Sequence, residues 1–99
     1  MTQALALDPY IPDVLMRDLV GHDRAPSAFV VYLWLWRRTH GEARAAYSAS
    51  LQTLATETGL SKSAVQDAVR RLRQRRLITS ERDAATSPPR YTVHRPWSA

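Results

Sequence analysis

The chain has 99 residues, no cysteine, 44% hydrophobic residues and a formal net charge of +5 at pH 7. That length buries one modest core, so a single domain over 1–99 is expected, with its core at about 26–95 and a short N-terminal helical extension at about 10–21. Without cysteine, packing alone must hold the fold, which suits a reducing cytoplasm; the longest apolar run, Ala28 to Trp36, falls far short of the roughly 20 residues that span a bilayer, and no charged-then-apolar leader opens the chain, so neither a membrane nor an export role is expected.

In chain order, Pro12 and Asp13 start a short helix bearing Val14, Leu15, Leu19 and Val20 before Gly21. Pro26 to His40 reads as the main scaffold helix, with Pro26 suited to its first turn and Gly41 to its end. Phe29, Tyr32, Leu33 and Trp36 share one apolar sector, while Val30, Val31, Trp34 and Leu35 fill much of the other side. A helix that is apolar nearly all round must be covered twice. One cover is the pair of helices that follows; the other is either the N-terminal segment or a second copy of the chain. In the second case Val31, Trp34 and Leu35 form a homodimer interface, tryptophan being enriched at binding hot spots; in the first they join an enlarged monomer core with Trp34 partly exposed. Ala46 to Ser48 is a candidate short strand, and Ser50 caps the next helix.

From Leu51 to Ile78 the apolar spacing describes two short amphipathic helices. Leu54, Ala55 and Thr58 recur at helical intervals before Gly59, and Leu60, Val65, Ala68, Val69 and Leu72 continue after it. Gly59 can take the left-handed conformation that ends the first helix, and Ser61 can cap the second through its hydroxyl. All the excess charge lies in this half of the chain: from Ser50 onward one Lys and eight Arg face two Asp and two Glu, whereas the charges before it cancel. Lys62, Arg70, Arg71, Arg73, Arg75 and Arg76 belong to the second helix and its exit. Such clustering attracts polyanions, although a charge run is commonly no more than a solvated helix face. On a helical wheel Val65, Val69 and Leu72 occupy one sector with Ala68 at its border, and Ser63, Gln66, Arg70, Arg73 and Gln74 occupy the opposite one.

Small Ala55 where two helices approach, Gly59 four residues later, and Leu60 with Val65 at the crossing resemble the helix-turn-helix. Arg76, Leu77 and Ile78 resemble the place where a winged helix-turn-helix leaves its recognition helix for a two-stranded wing. The resemblance covers about Pro26 to Arg95 and is closest to small winged domains of bacterial, plasmid and phage regulators and replication initiators. It implies an α+β, mainly α fold of three to four helices and a small two- or three-stranded antiparallel sheet. It also implies sequence-specific binding of double-stranded DNA by a recognition helix in the major groove, as in a cytoplasmic bacterial transcriptional regulator, with a symmetric homodimer as the expected assembly. Lys62, Ser63, Gln66, Asp67 and Arg70, in the N-terminal part of that helix, are the residues expected to go deepest, with Arg71 and Arg73 near phosphates. Gln66 suits adenine, Arg70 suits guanine or a phosphate, and Asp67 is best read as an intrahelical partner of Arg70 or Arg71. One departure is Arg76, where such domains often carry glycine; a left-handed arginine there costs about 1 kcal/mol.

Leu77 to Arg82 and Arg90 to Arg95 read as two strands around a loop containing Pro88 and Pro89. Arg82 and Arg90 flank this loop, either as wing contacts to phosphates or a minor groove, or as charges that blunt the edge of an ordinary hairpin. Met1 to Ala6 and Trp97 to Ala99 have little to order them, unless Trp97 folds back on the sheet or on a partner. His22, His40 and His94 are dispersed without ligand spacing, and there is no glycine-rich phosphate loop, nucleophile elbow or carboxylate pair, so no enzyme activity, metal, cofactor or small-molecule ligand is expected. The competing class is a protein-interaction module on the same fold that does not read DNA, using Val31, Trp34 and Trp36 with the arginines on an acidic partner.

Overall fold

Helix α1, Pro26–Arg38, starts at a proline whose missing N–H falls where a helix has no use for one. The structure is a computed structural model and describes residues 4–98. Ala28, Phe29, Val31, Tyr32, Leu35 and Trp36 of α1 are buried. They are covered within one chain, by the later helices on one side and by the N-terminal segment on the other. That corrects the homodimer interface expected at Val31, Trp34 and Leu35: Val31 and Leu35 are 0% exposed in the chain's own core, and only Trp34, half-buried, reaches the surface. A side chain with no accessible area gains nothing from a second copy.

The end of α1 also differs from expectation. The helix stops at Arg38, where the buried Thr39 hydroxyl donates back to the Leu35 carbonyl at 2.7 Å, and a 3₁₀ turn, His40–Glu42, follows. The left-handed residue there is Ala43 (φ 54°). Gly41 supplies space instead, since a Cβ on it would lie 2.7 Å from Leu5 Cδ1.

Upstream, Ile11–Leu15 and Asp18–His22 are wound as π turns, closed by bonds from Met16 N–H to the Ile11 carbonyl and from Asp23 N–H to the Asp18 carbonyl. This wider winding keeps Ile11, Leu15 and Leu19, spaced four apart, on one buried line against α1. Val20, expected to share that face, is 40% exposed. The segment does not stop at Gly21; Arg24, at φ 53°, makes the reversal into α1. The ends are pinned more than expected. Trp36 Nε1 donates to the Ala6 carbonyl at 2.9 Å, the Trp97 ring stacks on Tyr10 with centroids 4.4 Å apart, and Trp97 Nε1 donates to Asp8 at 3.2 Å. Met1 to Gln3 and Ala99 lie outside the described residues.

Three short strands complete the fold: β1, Tyr47–Ser48, β2, Ile78–Glu81, and β3, Arg90–Val93. They form an antiparallel sheet in the order β1-β3-β2, with Tyr47 opposite Tyr91 and Ile78 opposite Val93. Alternation along β3 buries Tyr91 and Val93 and leaves Arg90 and Thr92 half-exposed. The Tyr32 hydroxyl donates to the His94 carbonyl at 2.8 Å and ties α1 to the end of β3; burial pushes its ionisation well above the ordinary phenol range.

Candidate nucleic-acid interface

Two helices meet at a turn written in local chemistry. In α2, Leu51–Thr58, the Ser50 hydroxyl accepts from Thr53 N–H at 3.1 Å and caps the start. Gly59, at φ 82°, ends the helix in the left-handed region, with its N–H on the Ala55 carbonyl at 2.9 Å. The Ser61 hydroxyl then accepts from Ala64 N–H at 3.1 Å and caps α3, Lys62–Gln74. Val65, Ala68, Val69 and Leu72 of α3 are buried, and Leu54 and Ala55 of α2 face the same core. Ala68, placed at the border by the wheel, is inside at 1% exposed.

The opposite face of α3 is open. Lys62, Ser63, Gln66, Asp67, Arg70, Arg71, Arg73 and Gln74 are all exposed, four cations against the single carboxylate of Asp67. Asp67 pairs with Arg70 at 3.3 Å, the intrahelical partnership expected of it. Arg73 Nη1 donates to Ser80 Oγ of β2 at 3.2 Å, which tilts its head toward the hairpin. Lys62 and Arg71 make no ion pair among the described residues.

Tertiary folding adds residues from other elements. A groove of about 580 Å³ runs between the capped start of α2 (Ser50 to Thr53), Lys62 at the start of α3, and Arg82 with Ser87 and Pro88 of the hairpin loop. Its neighbour, about 150 Å³, brings Gln66 and Arg73 beside Arg82 and Tyr91. Burial raises the Tyr91 phenol's ionisation even though Arg73 and Arg82 pull it down. Arg82 also donates to the Ala85 and Ser87 carbonyls at 3.3 Å each, shaping the loop it projects from. Arg90, expected to join Arg82 at the interface, is held instead by both Asp83 oxygens at 3.0 and 3.1 Å and by Glu81 at 3.3 Å. Glu81 is its cross-strand partner in the β2–β3 register, so the charge of Arg90 is compensated inside the hairpin. Arg75 is likewise drawn off the face, as both its 3.0 Å bonds go to Asp23.

Two contributors were not singled out from the sequence. Ser80 orients Arg73, with nothing in its neighbourhood to mark it; Arg24, which shares a hollow with Arg70 and Arg71, is brought there by the reversal before α1. The histidines stay apart: His22 meets Asp23, His40 meets the Val93 carbonyl, and His94 meets Thr79.

The profile of one known family, described as Helix-turn-helix domain, matches residues 25–78, more than half of the chain. The chain belongs to the helix-turn-helix domain family. The match takes in all three α-helices of this helix-turn-helix domain, and the β2–β3 hairpin that follows makes it a winged one, so it is a DNA-binding domain. No curated protein and no solved structure matches the chain. No helix among the described residues is long and apolar enough to cross a membrane.

Proposed function

We propose that this helix-turn-helix domain acts in the cytoplasm as a transcriptional regulator of bacterial type, recognising a specific duplex sequence by laying α3 in the major groove. The observation that carries this reading is the division of α3: Val65, Ala68, Val69 and Leu72 are buried and every polar residue is open. A major groove about 12 Å wide admits such a helix. Lys62, Arg71 and Arg82 neutralise phosphates and supply affinity, while Ser63, Gln66 and Arg70 face base edges, with Asp67 orienting Arg70. Arg73, drawn toward the hairpin, meets backbone. A homodimer on a palindromic site, if formed, has to be built without Val31 and Leu35.

Selection of bound sequences from a random duplex pool, followed by a salt titration of the winner, tests the reading. The logarithm of the affinity should fall linearly with the logarithm of salt, Arg70→Ala should weaken binding, and Gln66→Ala should relax preference at one base position by about 1–3 kcal/mol. Failure to enrich any sequence at low salt would overturn it.

A further inference from the structure

The outer side of α1 carries a surface that DNA recognition does not use. Leu5, Val30, Leu33 and Trp34 line an apolar groove of about 530 Å³ that ends at Glu57 and Thr58 of α2. Leu5 is 42% and Val30 39% exposed, and Leu33 and Trp34 are half-buried. The same Leu5 and Arg37 also border a second hollow of about 610 Å³, and this one is strongly basic. Arg37 and Arg38 both reach Glu42 Oε2, at 3.1 and 3.0 Å, and Arg44 Nε lies 3.4 Å from Oε1. Three guanidiniums therefore share one carboxylate. Arg38 lines the second hollow and reaches beside Trp34 of the first, its head lying 5.7 Å from the Trp34 ring centroid and 4.8 Å from that of Tyr47, and its buried Nε has no partner among the described residues. An apolar slot continued by the exposed Arg44, which shares the single Glu42 carboxylate with its neighbours, complements an acidic amphipathic chain.

We propose that this outer side of α1 is a docking surface for an acidic amphipathic segment of a partner protein, whose apolar side chains enter the Val30–Trp34 groove and whose carboxylates meet Arg38 and Arg44. Its polarity is set by Glu57. That carboxylate is held by Trp34 Nε1 at 3.1 Å and the Tyr47 hydroxyl at 2.9 Å and closes the α2 end, so the acidic end of the segment lies toward Arg44. None of these residues belongs to the open face of α3 or to the groove at the start of α2, so a duplex and the partner segment fit at the same time. The domain then joins a DNA site to an acidic protein.

The test is fluorescence anisotropy of the full chain with a labelled synthetic helical peptide that carries leucines at i, i+3, i+4 and i+7 followed by a run of glutamates. One companion peptide has lysine for every glutamate, and another has serine for every leucine. The first peptide should bind and both companions should fail. Val30→Glu and Arg44→Glu alter exposed side chains and should each weaken binding about tenfold or more while thermal unfolding by circular dichroism is unchanged. Equal binding by these variants would place the peptide on the α3 arginines and overturn the proposal. So would sedimentation showing that Val30→Glu splits a dimer, which would make a second copy the occupant, or an Arg44→Glu defect seen only with duplex DNA. The peptide readout does not depend on DNA, so failure of sequence reading and failure of this surface are separable.

Discussion

Arg76 shows what a single dihedral costs. It sits at φ 57° two residues past the end of α3, where its N–H returns to the Arg73 carbonyl at 3.0 Å and Leu77 N–H returns to the Leu72 carbonyl at 2.9 Å. This is a Schellman closure, which prefers glycine at the left-handed position. Arg76→Gly should therefore raise stability by about 0.5–1 kcal/mol, read as a higher urea midpoint at unchanged slope. The partnerships of the other cations separate them in the same way. Lys62→Ala should lower the slope of log affinity against log salt by about 1, the loss of one phosphate contact. Arg90→Ala should leave that slope unchanged, because Asp83 and Glu81 already hold its guanidinium. A fall in slope for Arg90 equal to that for Lys62 would show that the hairpin releases it to DNA.

Elements are joined by contacts that local sequence does not announce. Asp23, whose side chain is 6% exposed, accepts two 3.0 Å bonds from Arg75, fifty-two positions away, and so fastens the N-terminal π turns to the end of α3. Arg75 itself remains 33% exposed, which screens the pair. Asp23→Ala should lower stability by on the order of 1–2 kcal/mol, seen in the urea midpoint, and free Arg75 for the DNA-facing side. The α2–α3 turn, in contrast, was legible residue by residue. Gly59, Ser50 and Ser61 act within three or four positions of themselves, so composition and spacing sufficed to place them. The N-terminal extension was legible as helical but not as π-wound, because the line through Ile11, Leu15 and Leu19 is drawn by the surface of α1 it must cover.

At the scale of the whole molecule, the two ends of the described chain close on each other. The Asp8 carboxylate is held below the usual carboxylate range first by the backbone N–H of Tyr10, then by the Trp97 indole, with Arg95 adding its charge. A carboxyl group whose folded pKa is depressed contributes stability above its unfolded pKa and loses it as pH falls through the folded value. The urea midpoint of the wild-type protein should therefore exceed that of Asp8→Ala at neutral pH, and the gap should begin to shrink as the pH falls below about 4 and close only below the lowered folded value. A gap that persists in strong acid would mean that the clasp owes nothing to the charge.

Within one or two helical turns, the amino-acid order by itself determined the caps of α2 and the start of α3, which face of α3 is apolar, and that its other face is cationic. These features depend on neighbours that are near along the chain, and they are readable before any packing is known. Only the tertiary structure decided that the N-terminal segment, and no second copy, covers Val31 and Leu35, that Arg75 and Arg90 are committed to carboxylates while Lys62 and Arg82 share a groove, and that Trp34 is left beside a basic hollow. The reason is physical. Burial and ion pairing depend on which distant surfaces meet, and an apolar residue or an arginine carries no local mark of the partner that will reach it first.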